Sequence, residues 1–502
     1  VSVQSEQGTI VVQGTIDATA TDGVGGNVQI NALSDITLDD SSRILVGGLS
    51  GGVAKVKSSE GTLLASGLID GRGGEGPGGL VWLLAPRVGL IRQSKVDVSG
   101  LYGGGTVLVG GDAHGANPDV QNAWRTYFGA DAIVRADAGQ NGDGGKVIVW
   151  SDDVTRFYGS ISARGGALSG NGGFVETSGH NILDLSGTVN TLAPNGAAGT
   201  WLLDPTNINI QSGAGTFTAL NQVDQFADAN SGGNTIDVAL INAAATNVTL
   251  QATNDITFGA AVSITTTGVG LTAQAGNNIN LNNSITTKGV AVSLTANDPG
   301  GTQTGTGSIT GGGAITTTGP SNTAGGVVTL TVSGGTGSIS VGAINSAGGA
   351  GTGNNAGGAG RNVTISAPGA ISTGTITTNG GDSGNTNTGA TGGNVSISAT
   401  DGTITTSGIT TSGGLGGAGT SGTHDGGDAG TVTVQVTAPT AARAITTGSI
   451  AANGGTGAQP GGSNTGGAGG KGGAVLLTTT SGSGGSINAG AISTGGGLGG
   501  QG

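Results

Sequence analysis

Residues 362–381 read NVTISAPGAISTGTITTNGG, and residues 394–414 read NVSISATDGTITTSGITTSGG. In both, apolar residues alternate with Thr, Ser or Asn, the period of two that marks a strand with one buried face. A corner follows, Ala367 to Gly369 in one copy and Thr400 to Gly402 in the other, where Gly, Pro and Asp supply turn geometry. Next come two isoleucines five residues apart, and then a glycine-rich stretch. The same order recurs around Ile339/Ile344, Ile371/Ile376, Ile404/Ile409, Ile445/Ile450 and Ile487/Ile492, preceded by VVTLTV, NVTIS, NVSIS, TVTVQV and AVLLTTT. A repeat of roughly 30 to 40 residues holds about three short strands and cannot bury its own apolar face. Stacking one repeat on the next buries a continuous column of Ile and Val, which is the logic of a solenoid. The pattern predicts an all-β parallel β-helix with Gly-rich insert loops and one or two short helices.

Composition agrees. The chain has 111 Gly and 10 Pro in 502 residues, close to a quarter, far from ordinary globular usage and short of collagen. Only 9% of residues are charged while 34% are hydrophobic, so a thin core fits better than a disordered polar chain. Sixteen Lys and Arg against 29 Asp and Glu leave no basic surface to neutralise phosphates, which argues against nucleic acid as a partner. The longest apolar run, Leu80 to Ala85, is much shorter than the roughly 20 residues a membrane helix needs. Cys is absent, which removes disulfides and thiolate chemistry and suits export in an unfolded state. Met is absent even at position 1, so the expectation is a processed or excised piece of a longer chain, its signal peptide removed.

The last aromatic is Phe258, and the residues after it hold only nine Asp, Glu, Lys or Arg. Before it the motif recurs less regularly, as in LIDGRGGEGPGGLVWL and IVRADAGQNGDGGKVIVW. Three segments are expected: an irregular β-helix over 1–199, a joint over 200–258, and Gly/Thr/Ala-rich β-helix repeats over 259–502, truncated at the end. Helix is expected only around Pro118 to Phe128 and Asp237 to Ala245, where Gly is missing. Pro205 cannot donate to a ladder, and so is expected to mark a break in coil regularity.

The segment Asp137 to Ile210 carries DAGQNGDGGKVIVWSDDVTRFYGSISARGGALSGNGGFVETSG and then GTWLLDPTNINI. It resembles the large exoproteins of two-partner secretion, the filamentous-haemagglutinin-like adhesins. The run Gly199 to Pro205 is the most specific part, and NAWRTYFGADAIVRADA (Asn122 to Ala138) and TIDVALINAAATNVTLQATNDITF (Thr235 to Phe258) also fit. The likeness covers roughly Asn122 to Phe258; later repeats match in style alone, and the amino-terminal secretion domain of that family is not visible. The resemblance implies a right-handed β-helix outside the cell, on the surface of a Gram-negative-type bacterium. It also implies export through an outer-membrane β-barrel partner, and adhesion or filament formation.

Because polysaccharide lyases and hydrolases also use parallel β-helices, carboxylate pairs need scrutiny. Asp152 and Asp153, near Arg156 and Trp150, form the best cluster, but neighbours on a strand face opposite ways, and the pair reads as the start of a turn into Val154. His180 and Asp184 lie in SGHNILDLSG, which reads as a strand with a polar outer face. For calcium, Asn141 to Gly145 (NGDGG) and His424 to Asp428 (HDGGD) are the nearest candidates and read as turn formers. Gly71 to Gly76 satisfies a dinucleotide-type glycine pattern that this composition produces by chance, and Lys146 and Lys471 lack P-loop spacing. Trp82, Trp150 and Trp201 could stack on sugars if exposed, yet their strand contexts point to core or end-packing.

No catalytic, cofactor or metal site is therefore assigned, and the expected role is a non-catalytic surface adhesin or filament shaft. The alternatives are a self-associating matrix fibre, with the chain as its own partner, and a glycan-active enzyme. The inserts begin after Ala347, Asn379, Ser412, Asn453 and Thr494, so they must leave the coil at one corner. They read either as flexible loops or as an ordered Gly-rich layer that buttresses the coil or joins rods.

Overall fold

In the computed structural model, the residues described here are 1–213, 234–301, 305–385, 387–419, 424–437, 441–459, 466–480 and 484–500. They divide into two compact units, Val1–Ala252 and Thr253–Gly502. The dividing point falls inside the segment expected to be a joint, of which residues 214–233 lie outside the described residues. Both units are parallel β-helices.

In the first unit each coil places three short strands on three faces. One coil runs Leu80–Leu84, Arg87–Leu90 and Lys95–Asp97, and the next runs Thr106–Val109, Arg125–Phe128 and Ile133–Arg135. Pairing is parallel and in register: Val81 lies opposite Ala54 and Val107, Val88 opposite Leu63 and Thr126, and Val96 opposite Ile69 and Val134. A slip of one residue would turn every apolar side chain outward, so burial pins the register. Aromatics fill the interior, with Phe128 and Phe157 edge to face at 5.0 Å. Trp201 is also inside, and its indole N–H donates to Thr177 Oγ1 at 2.9 Å.

The expected helix at Pro118 to Phe128 does not form. Residues 110–124 make an excursion containing one 3-10 turn, Ala113–Gly115, and Arg125–Phe128 is a strand. Ladder bonds on both sides and burial of Thr126 and Phe128 outweigh the helical spacing. Asn122 ties its side chain to the Gly115 carbonyl, a local bond that competes with helix. The second expected helix is present as one turn, Val238–Asn242, with Asp237 at its N-cap accepting from Ala239 N–H. Around Pro205, Thr200–Leu203 keeps its register with Phe174–Gly179 and Asn247–Ala252, but the sheets of the other two faces end at Ile182–Leu185 and Thr188–Asn190, and Ile208–Gln211 pairs with Thr235–Asp237 instead, so the expected break falls on two faces of the three.

In the second unit the two isoleucine positions form two unbroken ladders. One passes Ile256, Ile279, Ile309, Ile339, Ile371, Ile404, Ile445 and Ile487. The other passes Val262, Ile285, Ile315, Ile344, Ile376, Ile409, Ile450 and Ile492. The five pairs anticipated from spacing are all in them. Three earlier rungs escaped because their corner is one residue longer, Ile315 following Ile309 at an offset of six instead of five. All rungs are buried except Ile487 and Ile492 in the last described coil. On the facing sheet, strands such as Val395–Ala399 alternate buried and half-buried residues.

Candidate functional site

Two places in the fold carry more than coil packing, a layer of glycine in the second unit and a covered patch in the first. The layer begins at a row of hydroxyls two residues beyond the second isoleucine. Thr317, Ser346, Thr378 and Thr411 are fully buried, and each donates to a backbone carbonyl of the chain re-entering the coil, at 2.6 to 2.9 Å. The spacing from the isoleucine was present in the sequence, but a Thr among many Thr residues gave no contrast.

Beyond the hydroxyls each insert runs outward and returns, so that outgoing and returning segments form two stacks. Outgoing segments bond to the next coil, Gly348 N–H to Asn379 O, Gly380 to Ser412, Gly413 to Asn453, and Gly454 to Gly495, each at 2.9 Å. The stacks are cross-linked in a zigzag: Gly414 N–H donates to Ala390 O, Gly427 to Gly414, Gly455 to Gly427 and Gly470 to Gly455, at 2.8 to 2.9 Å. Burial recurs every third residue, at His424, Gly427 and Gly430, and at Gly467, Gly470 and Gly473. Three per turn is the period of a polyproline-II-type chain, which has no internal hydrogen bonds and so offers its N–H groups to neighbours. Close approach needs glycine here: a Cβ on Gly427 would sit 2.0 Å from the Ala390 carbonyl oxygen. Of the two readings of the inserts, their described parts form the ordered layer.

The remaining residue of each triplet faces solvent, and several of its N–H groups are answered by Asp or Asn of an adjacent coil. Asp382 accepts from Leu415 at 2.9 Å, Asp425 from Ala468 and Asp428 from Lys471 at 2.7 Å, and Asn394 from Thr431 at 2.8 Å. The HDGGD acids are thus backbone caps; His424 is buried with Nδ1 against the Gly417 carbonyl. NGDGG behaves alike, Asp143 accepting from Asn171 N–H at 2.7 Å. Among the described residues no cluster of acidic, His or Cys side chains has metal-binding geometry. The amides from Gly71 to Glu75 are likewise used up, Gly71 on Asp97 O and Gly73 on Ser99 O among them.

The covered patch lies on the outside of the first unit. Leu84, Leu108 and Ile148 point away from the interior, and the 110–124 excursion closes over them, seating Val120 beside Trp150 with Trp82 and Phe174 at the margin. Asp112 anchors the excursion through Ala113 N–H and the Lys146 ammonium, at 2.8 and 2.6 Å. Gly115 lies over the Trp150 ring at φ +60, where a Cβ would meet the indole nitrogen at 2.5 Å.

Under the excursion Glu176 is fully buried and accepts from His114 N–H at 3.2 Å. Burial pushes its carboxyl up to about 7, with the Asp204 carboxylate adding to the rise. His114 Nδ1 lies 2.9 Å from Asp204, a contact that raises the imidazole above its ordinary value.

The other polar candidates separate. Asp152 accepts from Trp150 Nε1 and Asn122, whereas Asp153 binds Arg125 at 2.8 Å and Asn181, so the two acids serve different partners at the bend into Val154. His180 is exposed, while Asp184 is buried and bonded to the Tyr158 hydroxyl. Asp184 lies on the polar outer face expected for SGHNILDLSG, in register with Arg156, but that face is covered at this point, and burial pushes its carboxyl up to about 6. Trp150 and Trp201 are buried as expected; Trp82 is half-buried, with Lys55 Nζ 3.6 Å from its ring centroid. No family model matches the chain, and no curated protein matches it.

Proposed function

We propose that the chain is the non-catalytic shaft of an extracellular surface adhesin, exported by two-partner secretion through an outer-membrane β-barrel and displayed on a Gram-negative-type cell. The observation that carries this reading is the double tie between successive coils of the second unit. Isoleucine ladders lock them inside, and glycine-to-glycine hydrogen bonds lock them outside. A load along the coil axis is then shared between a hydrophobic column and a backbone lattice. The membership of the family rests on the motifs from Asn122 to Phe258.

The alternative of a laterally associating fibre is weaker for a specific reason. Asp and Asn side chains occupy outward N–H groups of the glycine layer, the same device that blunts an exposed sheet edge. The enzyme reading loses support because Asp152 and Asp153 are engaged apart. Electron microscopy of the purified chain over a range of concentrations tests the choice. Separate particles at every concentration are expected, and side-by-side bundles would overturn the shaft in favour of the fibre.

A further inference from the structure

On the outer surface of the first unit, Gln29, Lys55 and Trp82 are register partners in one row, and Asn31, Lys57 and Leu84 in the next. Neighbouring strands are about 4.8 Å apart, so these side chains form a compact grid. Asp119, carried by the 110–124 excursion, closes one side, and the enclosed cleft measures about 270 Å³. Convergent polar groups beside an aromatic ring in a small concavity are the ordinary makings of a ligand site.

What distinguishes this cleft is that its polar groups do not pair with one another. Trp82 Nε1 is buried and has no hydrogen-bond partner. The side chains of Gln29, Asn31, Lys57 and Asp119 make no hydrogen bond or ion pair among the described residues, and Lys55 contacts only the indole face. The larger groove of the same unit, about 700 Å³, differs in this respect, because Arg72 and Arg164 are already clamped on Asp70 and Asp137. Polar side chains that do not satisfy one another are available to a ligand.

We propose that the Trp82 cleft binds a carboxylate-bearing sugar, a uronate unit of an acidic polysaccharide. Two adjacent ammonium groups against one carboxylate make a positive spot on a chain of net charge -13, which selects an anionic ligand. The amides of Gln29 and Asn31 offer donor and acceptor together, as sugar hydroxyls require, and the half-buried Trp82 ring forms an apolar wall beside them. Lys57 holds the carboxylate. This inference goes beyond the shaft reading and stands independently of it.

Calorimetric titration of the full chain with trigalacturonate, with maltotriose as the neutral control, tests it. Trigalacturonate is expected to bind with an affinity that falls as salt rises, and maltotriose not to bind. Lys57→Met should weaken binding about tenfold and Lys57→Arg should retain it, since the charge-assisted contact is what counts. Trp82→Ala removes the ring that walls the cleft, and should weaken binding about fivefold. Lys57 is exposed and outside the core, so its variants fold and remain informative. Failure of trigalacturonate to bind, equal binding of maltotriose, or affinity untouched by both Lys57→Met and Trp82→Ala would overturn the proposal.

Discussion

The two units use the same parallel ladder and solve its packing problem differently. In Val1–Ala252 a coil has three distinct faces, and large side chains such as Phe128, Phe157 and Trp201 fill the interior. Its outer surface is decorated with charge, Trp, and an excursion that buries Glu176. In Thr253–Gly502 the interior after Phe258 is narrowed to aliphatic side chains, chiefly Ile, Val, Leu and Ala, and the second and third strands merge, as in Ile371–Thr377 and Ile404–Thr410. Glycine then provides a second, entirely backbone lattice outside the coil. A narrow coil buries little apolar area, and ordering glycine costs more entropy than ordering any other residue. The lattice offsets both by giving otherwise solvated N–H groups fixed partners. Side-chain variety thus goes with surface chemistry in the first unit, and side-chain poverty with mechanical continuity in the second.

The largest effect that would break this contrast is expected at Ile404. It is fully buried between Ile371 and Ile445, and Ile404→Asp places a charge in a column without a polar partner. A loss of about 4 kcal/mol or more is expected, confined to the second unit. Limited proteolysis should show new cleavage near residue 404 while tryptophan fluorescence stays native, because all four Trp lie in the first unit. Unchanged cleavage would remove Ile404 from the core.

A smaller effect sharpens the account of the glycine layer. Gly427→Ala drives a methyl against the Ala390 carbonyl and should cost about 1 to 3 kcal/mol. Gly23→Ala, where the added carbon meets nothing within 4 Å, should stay within about 0.5 kcal/mol. Hydrogen exchange gives the direct check: the amides of Gly414, Gly427, Gly455 and Gly470 should exchange slowly in the unmodified chain. Rapid exchange throughout the described parts of 413–430 and 454–473 would mean that the layer is not ordered; residues 420–423 and 460–465 lie outside the described residues.

The smallest effect concerns pH and belongs to the first unit. Glu176 rises from an ordinary 4.5 to about 7, so folding takes up a proton between those values, and stability falls as pH climbs from 4.5 through 7. Asp184, raised from 3.8 to about 6, acts in the same direction at lower pH. His114 does too, since its stabilisation is complete below the ordinary 6.5 and fades as pH rises through its elevated folded value. Thermal melts followed by tryptophan fluorescence from pH 4 to 8 should show a falling midpoint that Glu176→Gln flattens; an unaltered profile in that variant would place the titration elsewhere.

Much of the second unit was legible because its signals are local and repeated. Alternation in NVSIS, the Ile404/Ile409 spacing and the corner at Thr400 to Gly402 each need only neighbours in the chain, and a parallel ladder multiplies them coil after coil. That the inserts leave at one corner followed from the same repetition. The sequence by itself also read Asp152 and Asp153 as the start of a turn into Val154, and they lie in the bend between Lys146–Ser151 and Val154–Phe157.

Contacts between coils were decided only in the tertiary structure. Whether a glycine-rich stretch is loose or ordered depends on what lies within hydrogen-bonding distance, and Gly427 finds Gly414 and Ala390 only after each insert has turned back on itself. The helix expected over Pro118 to Phe128 lost to ladder partners some 30 residues away on either side, which no local propensity reports. Glu176, Asp184 and the Trp82 cleft were invisible for the same reason. Each gains its character from residues that are distant in the chain, Glu176 from His114 and Asp204, Asp184 from Tyr158, and Trp82 from Lys55 and Asp119. Periodicity specifies which way a side chain points in a coil; what it then meets is set by the stacking of coils and by the excursions that fold over them.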